Sequence, residues 1–204
     1  MTELTNAASF IVTTLGSLYL LIVMLRFVLQ LVRADFYNPM SQFIVKATQP
    51  LLRPMRRAIP SLFGLDMSSL VLGIIVQMLV MAAVLMLEVG TIDPYRIGIL
   101  GAVLHLLVWA LIGVTVLLLN IFFWALLISV ILSWVAPASH NPAAQLVNQI
   151  CEPLLAPLRQ RLPNLGGLDL SPIVAFMAIK LIEMTVIVWL IKMSAMPTVL
   201  RLLI

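Results

Sequence analysis

The residues best equipped for chemistry lie where water is scarce. Lys180 and Glu183 stand three positions apart in an otherwise apolar segment, so on a helix the ammonium and the carboxylate share one face. A pair at such depth has two readings: a neutralising contact turned into a helix bundle, or part of an ion pathway. Both stay open at the level of sequence. Arg26 sits near the end of another apolar segment, where snorkelling to the interface accounts for it. Glu88 marks a segment end in the same way, and Ser9, Thr13 and Ser17 recur at helical spacing as a small-residue packing face. The two histidines, His105 and His140, lack metal-ligand spacing, and the single cysteine, Cys151, excludes an internal disulfide and a multi-cysteine metal site. No glycine-rich phosphate loop, G-x-S-x-G elbow or H-E-x-x-H pair occurs. The expectation is therefore no catalytic residues, no metal, no cofactor and no enzyme.

A second group of polar residues recurs. At an offset of 103 residues, Asn38, Pro39, Gln42, Pro50, Pro54, Arg56, Pro60, Asp66 and Ser68 fall on Asn141, Pro142, Gln145, Pro153, Pro157, Arg159, Pro163, Asp169 and Ser171. Over residues 38–71 there are 15 identities in 34, where a leucine-rich composition gives roughly three by chance. The same offset places Gln77 on Lys180, so the intramembrane polar position is itself duplicated. Asp35 and Arg57 belong to the first copy alone, being replaced by Ala138 and Gln160. The chemistry on offer is anion contact. Guanidinium groups bind phosphate oxygens in a fixed fork, and basic clusters beside apolar spans meet anionic lipid headgroups rather than nucleic acid. The prolines give the stretch a defined shape. Asn-Pro starts a turn. Pro50 and Pro54 suit the first turns of short helices, which Pro60 ends, so each connector is expected to hold two short interfacial helices. Ser171 before Pro172 reads as a helix N-cap, and Ser68 as its counterpart.

The elements that must position these groups follow from composition. Of 204 residues, 63% are apolar and 10% charged, against about 45–50% and 25% in a soluble domain, so lipid has to be the solvent. A span needs about 20 apolar residues. Residues 10–32, 69–89 and 172–191 meet this simply. The longer tract 97–135 is too long for one span and tight for two, so four principal spans are expected, with five as the alternative. The domain reading is a first repeat over 1–92, with spans 10–32 and 69–89 around connector 33–68. An apolar insertion, 93–112, follows. The second repeat covers 113–204, with spans 113–135 and 172–191 around connector 136–171. The fold class is an all-α polytopic membrane protein built from two tandem helix hairpins. With four spans the connectors share a side, which then carries Arg33, Lys46, Arg53, Arg56, Arg57, Arg159 and Arg161 against Arg96, Lys192 and Arg201 opposite. That bias predicts cytoplasmic connectors.

The run Asp35-Phe36-Tyr37-Asn38-Pro39-Met40-Ser41-Gln42-Phe43, the run Thr48 to Pro60, the duplicate from Glu152 to Arg159 and the Gly-Leu-Asp-x-Ser of both copies resemble the YggT family of bacterial membrane proteins. The resemblance covers nearly the whole chain. It implies an inner-membrane location and a role in osmotic-stress tolerance, cell division or membrane organisation, with cytochrome assembly in plastid relatives. Two functions follow as expectations. One is a non-enzymatic assembly or organising factor that engages lipid headgroups and a membrane-protein partner or a second copy. The other is a small oligomeric ion channel or transporter.

Overall fold

The computed structural model describes residues 2–61, 64–88, 94–135, 141–162 and 169–204, apart from the side chains of 2 and 94–97. Its described elements are helical: α1 (Thr2–Leu31), α2 (Pro39–Ala58), α3 (Met67–Glu88), α4 (Pro94–Val135), α5 (Pro142–Arg159), α6 (Ser171–Ile182), a π-helical turn (Glu183–Ile187), α7 (Val188–Met193) and α8 (Thr198–Arg201). Four helical stretches are long and apolar enough to cross a membrane: Glu3–Leu31, Met67–Glu88, Gly98–Val135 and Ser171–Met193. The tract that sequence left between one crossing and two is a single helix. Gly98, with φ of 70°, is its one non-helical residue, and the 38 residues from there to Val135 span roughly 57 Å at 1.5 Å per residue. Residues 99–112 form the first part of that helix, beyond the kink at Gly98.

Because α4 crosses once, both connectors lie at one end of the bundle, and they touch. The Asn38 side-chain amide donates to the Pro142 carbonyl (2.7 Å), and the Asp35 amide donates to Gln149 Oε1 (2.9 Å). The cores are arranged to match. One cluster at the connector end joins Val23, Met24 and Phe27 of α1, Leu52 of α2, Leu126 of α4 and Leu155 of α5. A second joins Met81 and Leu85 of α3 and Trp109 of α4 to Met196 and Leu200 near the C-terminus, so the last residues fold back into the bundle. Trp109 Nε1 closes that end by donating to the Ser194 carbonyl (3.0 Å).

Close approach of α1 and α3 depends on Gly16, where a Cβ would meet Val80 Cγ2 at 2.3 Å. The packing stripe differs from the expected Ser9, Thr13 and Ser17: Ser9 is buried and bonds Glu88 (2.6 Å), but Ser17 is exposed. At 100° per residue Gly16 lies closer to the Ser9 direction than Ser17 does.

Each connector holds one long helix rather than two short ones, and this corrects the expected break at the prolines. Pro50 and Pro54 lie inside α2, and Pro153 and Pro157 inside α5. Each pair is spaced by four, on the exposed side. The carbonyls that lose a donor belong to Lys46, Pro50, Gln149 and Pro153, which are exposed or half-buried, and a carbonyl that can reach water lowers the usual cost of an internal proline. The opposite face of α2, carrying Ser41, Ile44, Thr48 and Leu52, is buried.

Candidate functional site at the connector end

The connector helices start alike. Asn38 Oδ1 accepts from the Met40 amide and Asn141 Oδ1 from the Ala143 amide, both at 2.9 Å, so each asparagine is an N-cap with proline at the first helical position. Gln42 adds a bond to the Tyr37 carbonyl (3.3 Å), and Asp35 Oδ1 accepts from the Tyr37 amide (2.8 Å). Gln145, Arg57 and Pro60 are exposed. Pro163 lies outside the described residues, as does His140.

The connector helices end on a duplicated ion pair. Arg56 pairs with Asp66 in the first unit, and Arg159 Nε with Asp169 Oδ2 (2.8 Å) in the second. Each pair ties the last turn of a connector helix to the start of the next span. In the second unit the aspartate also takes over the capping expected of the serine. Asp66 Oδ2 accepts from Ser69 Oγ (2.8 Å), while Asp169 Oδ1 accepts from the Ser171 amide (2.9 Å). Ser68 donates instead to the Ile59 carbonyl (3.3 Å), and the N-cap position of α6 is Leu170, without a side-chain bond. An acceptor-only carboxylate suits the exposed N–H groups of a helix start better than a hydroxyl does.

The two pairs sit in different surroundings. Asp66 is buried, whereas Asp169 and Arg159 are exposed. Burial pushes the Asp66 carboxyl up, but hydrogen bonds from Arg56 and Ser69 and the charges of Arg56 and Arg26 outweigh it and hold the group below its ordinary value. The Asp169 carboxyl is likewise held below its ordinary value: burial raises it, and the bonds from Arg159 and Ser171 prevail. The hydrogen bond to Asp169 raises the Arg159 guanidinium, with help from Glu152 at 3.1 Å.

Arg26 is the residue whose role sequence misassigned. It does not snorkel. It is 5% exposed and crosses from α1 to α2, donating to the Val45 carbonyl (3.0 Å), Thr48 Oγ1 (2.6 Å) and Gln49 Oε1 (3.4 Å). Its Nε lies 3.8 Å from Asp66 Oδ2. A guanidinium with this many acceptors in reach has no need of the interface. At the repeat offset Arg26 falls on Ser129, and Thr48 on Cys151. Ser129 makes the corresponding crossing from α4 to α5, donating to Asn148 Oδ1 (2.9 Å). Burial pushes the Cys151 thiol up to about 12, leaving it an inert packing group at neutral pH.

Arg33 is the other missed residue. The amide of Ala34 bonds the Leu29 carbonyl (2.8 Å), closing α1 in a left-handed turn at Arg33, φ 53°. Glycine is the usual occupant of that position; arginine there costs on the order of 1 kcal/mol.

The intramembrane polar residues do not converge. Gln77 is buried between α3 and α4, where Gly113 leaves room for its amide. Lys180 and Glu183 pair at 2.6 Å on a half-exposed face of the span, with Lys180 Nζ 4.5 Å from the centre of the Phe123 ring. The π-helical turn begins at Glu183. His105 bonds the Gly101 carbonyl and packs edge-on against Trp109.

A family model described as CCB3/YggT matches residues 5–87 and again residues 108–190. The second segment begins and ends 103 residues after the first, the register found within the sequence. A Pseudomonas aeruginosa protein named as uncharacterized protein PA0392 is 60% identical over 97% of this chain and 96% of its own length. Escherichia coli K12 YggT is 35% identical over 89% of each chain. The chloroplastic YlmG homolog protein 2 of Arabidopsis thaliana is 42% identical over 30% of this chain and 24% of its own length. No solved structure matches.

Proposed function

The chain belongs to the CCB3/YggT family, and from that premise we propose that it is a non-enzymatic organising factor of the bacterial inner membrane. It uses its joined connectors as one cytoplasmic docking platform for a membrane-protein partner. One observation carries this reading: the connector helices meet across the two units through Asn38 and Pro142 and through Asp35 and Gln149. A pair of independent hairpin loops would have no need of that bridge. The exposed face of α2 offers Lys46, Arg53 and Arg57 among the apolar side chains of Phe43 and Leu51. Such a face suits the headgroup layer and a protein docked within it. Contribution to osmotic-stress tolerance follows if the docked partner handles solute or ion balance. Affinity capture from native membranes tests the platform. Arg53→Glu combined with Arg57→Glu is expected to strip the co-purifying proteins while thermal unfolding stays the same; an unchanged set overturns the reading.

A second reading, an ion pathway assembled from several copies, is favoured by the Lys180–Glu183 pair. A half-exposed ion pair inside a span is costly against hydrocarbon, and a neighbouring copy would cover it. Proteoliposomes should then show ion flux that changes on Lys180→Ala, and the absence of flux under every gradient removes this reading.

A further inference from the structure

Between the end of α1, the inner face of α2 and the turn at Gly64 lies an open cavity of about 580 Å³. Three guanidinium-bearing side chains line it: Arg26, Arg33 and Arg56. Asp66 is the carboxylate that pairs with two of them, bonded to Arg56 and 3.8 Å from Arg26. The local charge is therefore positive, and Arg33 is the guanidinium that Asp66 does not neutralise. Ser41 also lines the cavity, 3% exposed, and its buried hydroxyl has no hydrogen-bond partner. A buried hydroxyl without a protein partner is uncommon and leaves a donor and acceptor free for water or a ligand. The remaining wall combines the Gln49 amide with the apolar side chains of Leu29 and Phe36.

The second unit has lost this chemistry. At the offset of 103, Arg26 becomes Ser129, Arg33 becomes Ala136, Ser41 becomes Ala144 and Gln49 becomes Glu152. Arg159 alone remains of the three arginines, and it is held by both Glu152 and Asp169. The same scaffold is thus cationic in one copy and acidic in the other.

We infer that the first unit alone carries a phosphate-binding site, in which Arg33 and Ser41 take the oxygens of a phosphate-bearing group and Arg26 and Arg56 supply the positive field. The apolar wall and the position at the bundle end suit the headgroup of an anionic phospholipid, and free phosphate presents the same oxygens. The left-handed backbone at Arg33 is a strained position for a residue other than glycine, and such positions cluster at ligand sites. The site deepens the platform reading, resting on it only for placing this end at headgroup depth.

The test uses the full chain in detergent, titrated calorimetrically with inorganic phosphate and, separately, with dioctanoyl phosphatidylglycerol. Arg33→Gly removes the guanidinium while supplying the residue the backbone prefers, so its melting temperature should not fall. Its affinity should weaken by about tenfold, the loss of one charge-assisted phosphate contact. Arg159→Gln should leave affinity unchanged. Binding of the lipid alone identifies a headgroup site, binding of phosphate alone a free-anion site, and binding of both the shared chemistry; each supports the inference when Arg33→Gly weakens it. No binding to wild type, equal binding by Arg33→Gly, or equal weakening by Arg159→Gln overturns it. Partner capture is a separate readout, so loss of the platform and loss of the phosphate site are distinguishable.

Discussion

At the scale of single residues, the duplicated aspartates show how burial changes the worth of one contact. Asp66 Oδ2 is shared by Arg56, Arg26 and Ser69, and the carboxylate is 6% exposed; Asp169 is 42% exposed. Breaking a buried pair leaves an uncompensated charge, at a cost of about 3 kcal/mol, whereas an exposed pair contributes under about 1 kcal/mol. Asp66→Asn should therefore lower the midpoint of thermal unfolding far more than Asp169→Asn. The pH dependence has a definite sign. The Asp66 carboxyl is held below its ordinary value of 3.8, so its contribution is fully present above that pH and lost as the pH falls through the folded-state value. The gap in melting temperature between wild type and Asp66→Asn should be constant from neutral pH down to about 4 and close below it. The pairing of Arg56 with Asp66 could be read in part from sequence, since both recur in the second copy. Arg26 as their third member could not, because nothing local says that an arginine in α1 faces the helix that follows it.

At the scale of elements, close approach of α1 and α3 makes a sharp prediction. A methyl at Gly16 would collide with Val80, whose β-branched side chain has little freedom to move aside. Gly16→Ala should destabilise the protein by about 1–3 kcal/mol, and Val80→Ala in the same chain should recover part of that loss, which a double-mutant cycle of unfolding midpoints measures. The connector helices are the element that sequence divided wrongly. Proline in a helix interior usually breaks it, but the penalty depends on where the freed carbonyls point. Here they belong to residues that are exposed or half-buried, while Leu52 and Leu155 anchor the inner faces in the core. Periodicity of the buried positions outweighed the local signal of the prolines.

At the scale of the whole molecule, a single crossing by α4 brings the two connectors to one face, where they bond to each other. Reporter fusions after Arg57 and after Arg161 should therefore give the same side of the membrane, and opposite sides would overturn the parallel arrangement. The sequence by itself determined the solvent, the apolar spans apart from the number of crossings within 97–135, the two-unit repeat and the turns that start at Asn38 and Asn141. Those features depend on composition and on residues close in the chain. The tertiary structure decided the rest: that residues 99–135 form one helix, that Arg26 is buried against α2, that the connectors touch, and that Arg26, Arg33 and Arg56 line one cavity. Each of these depends on which faces meet across the bundle. An apolar helix surrounded by lipid is hydrophobic all round, so its sequence carries little record of which face a neighbour will cover.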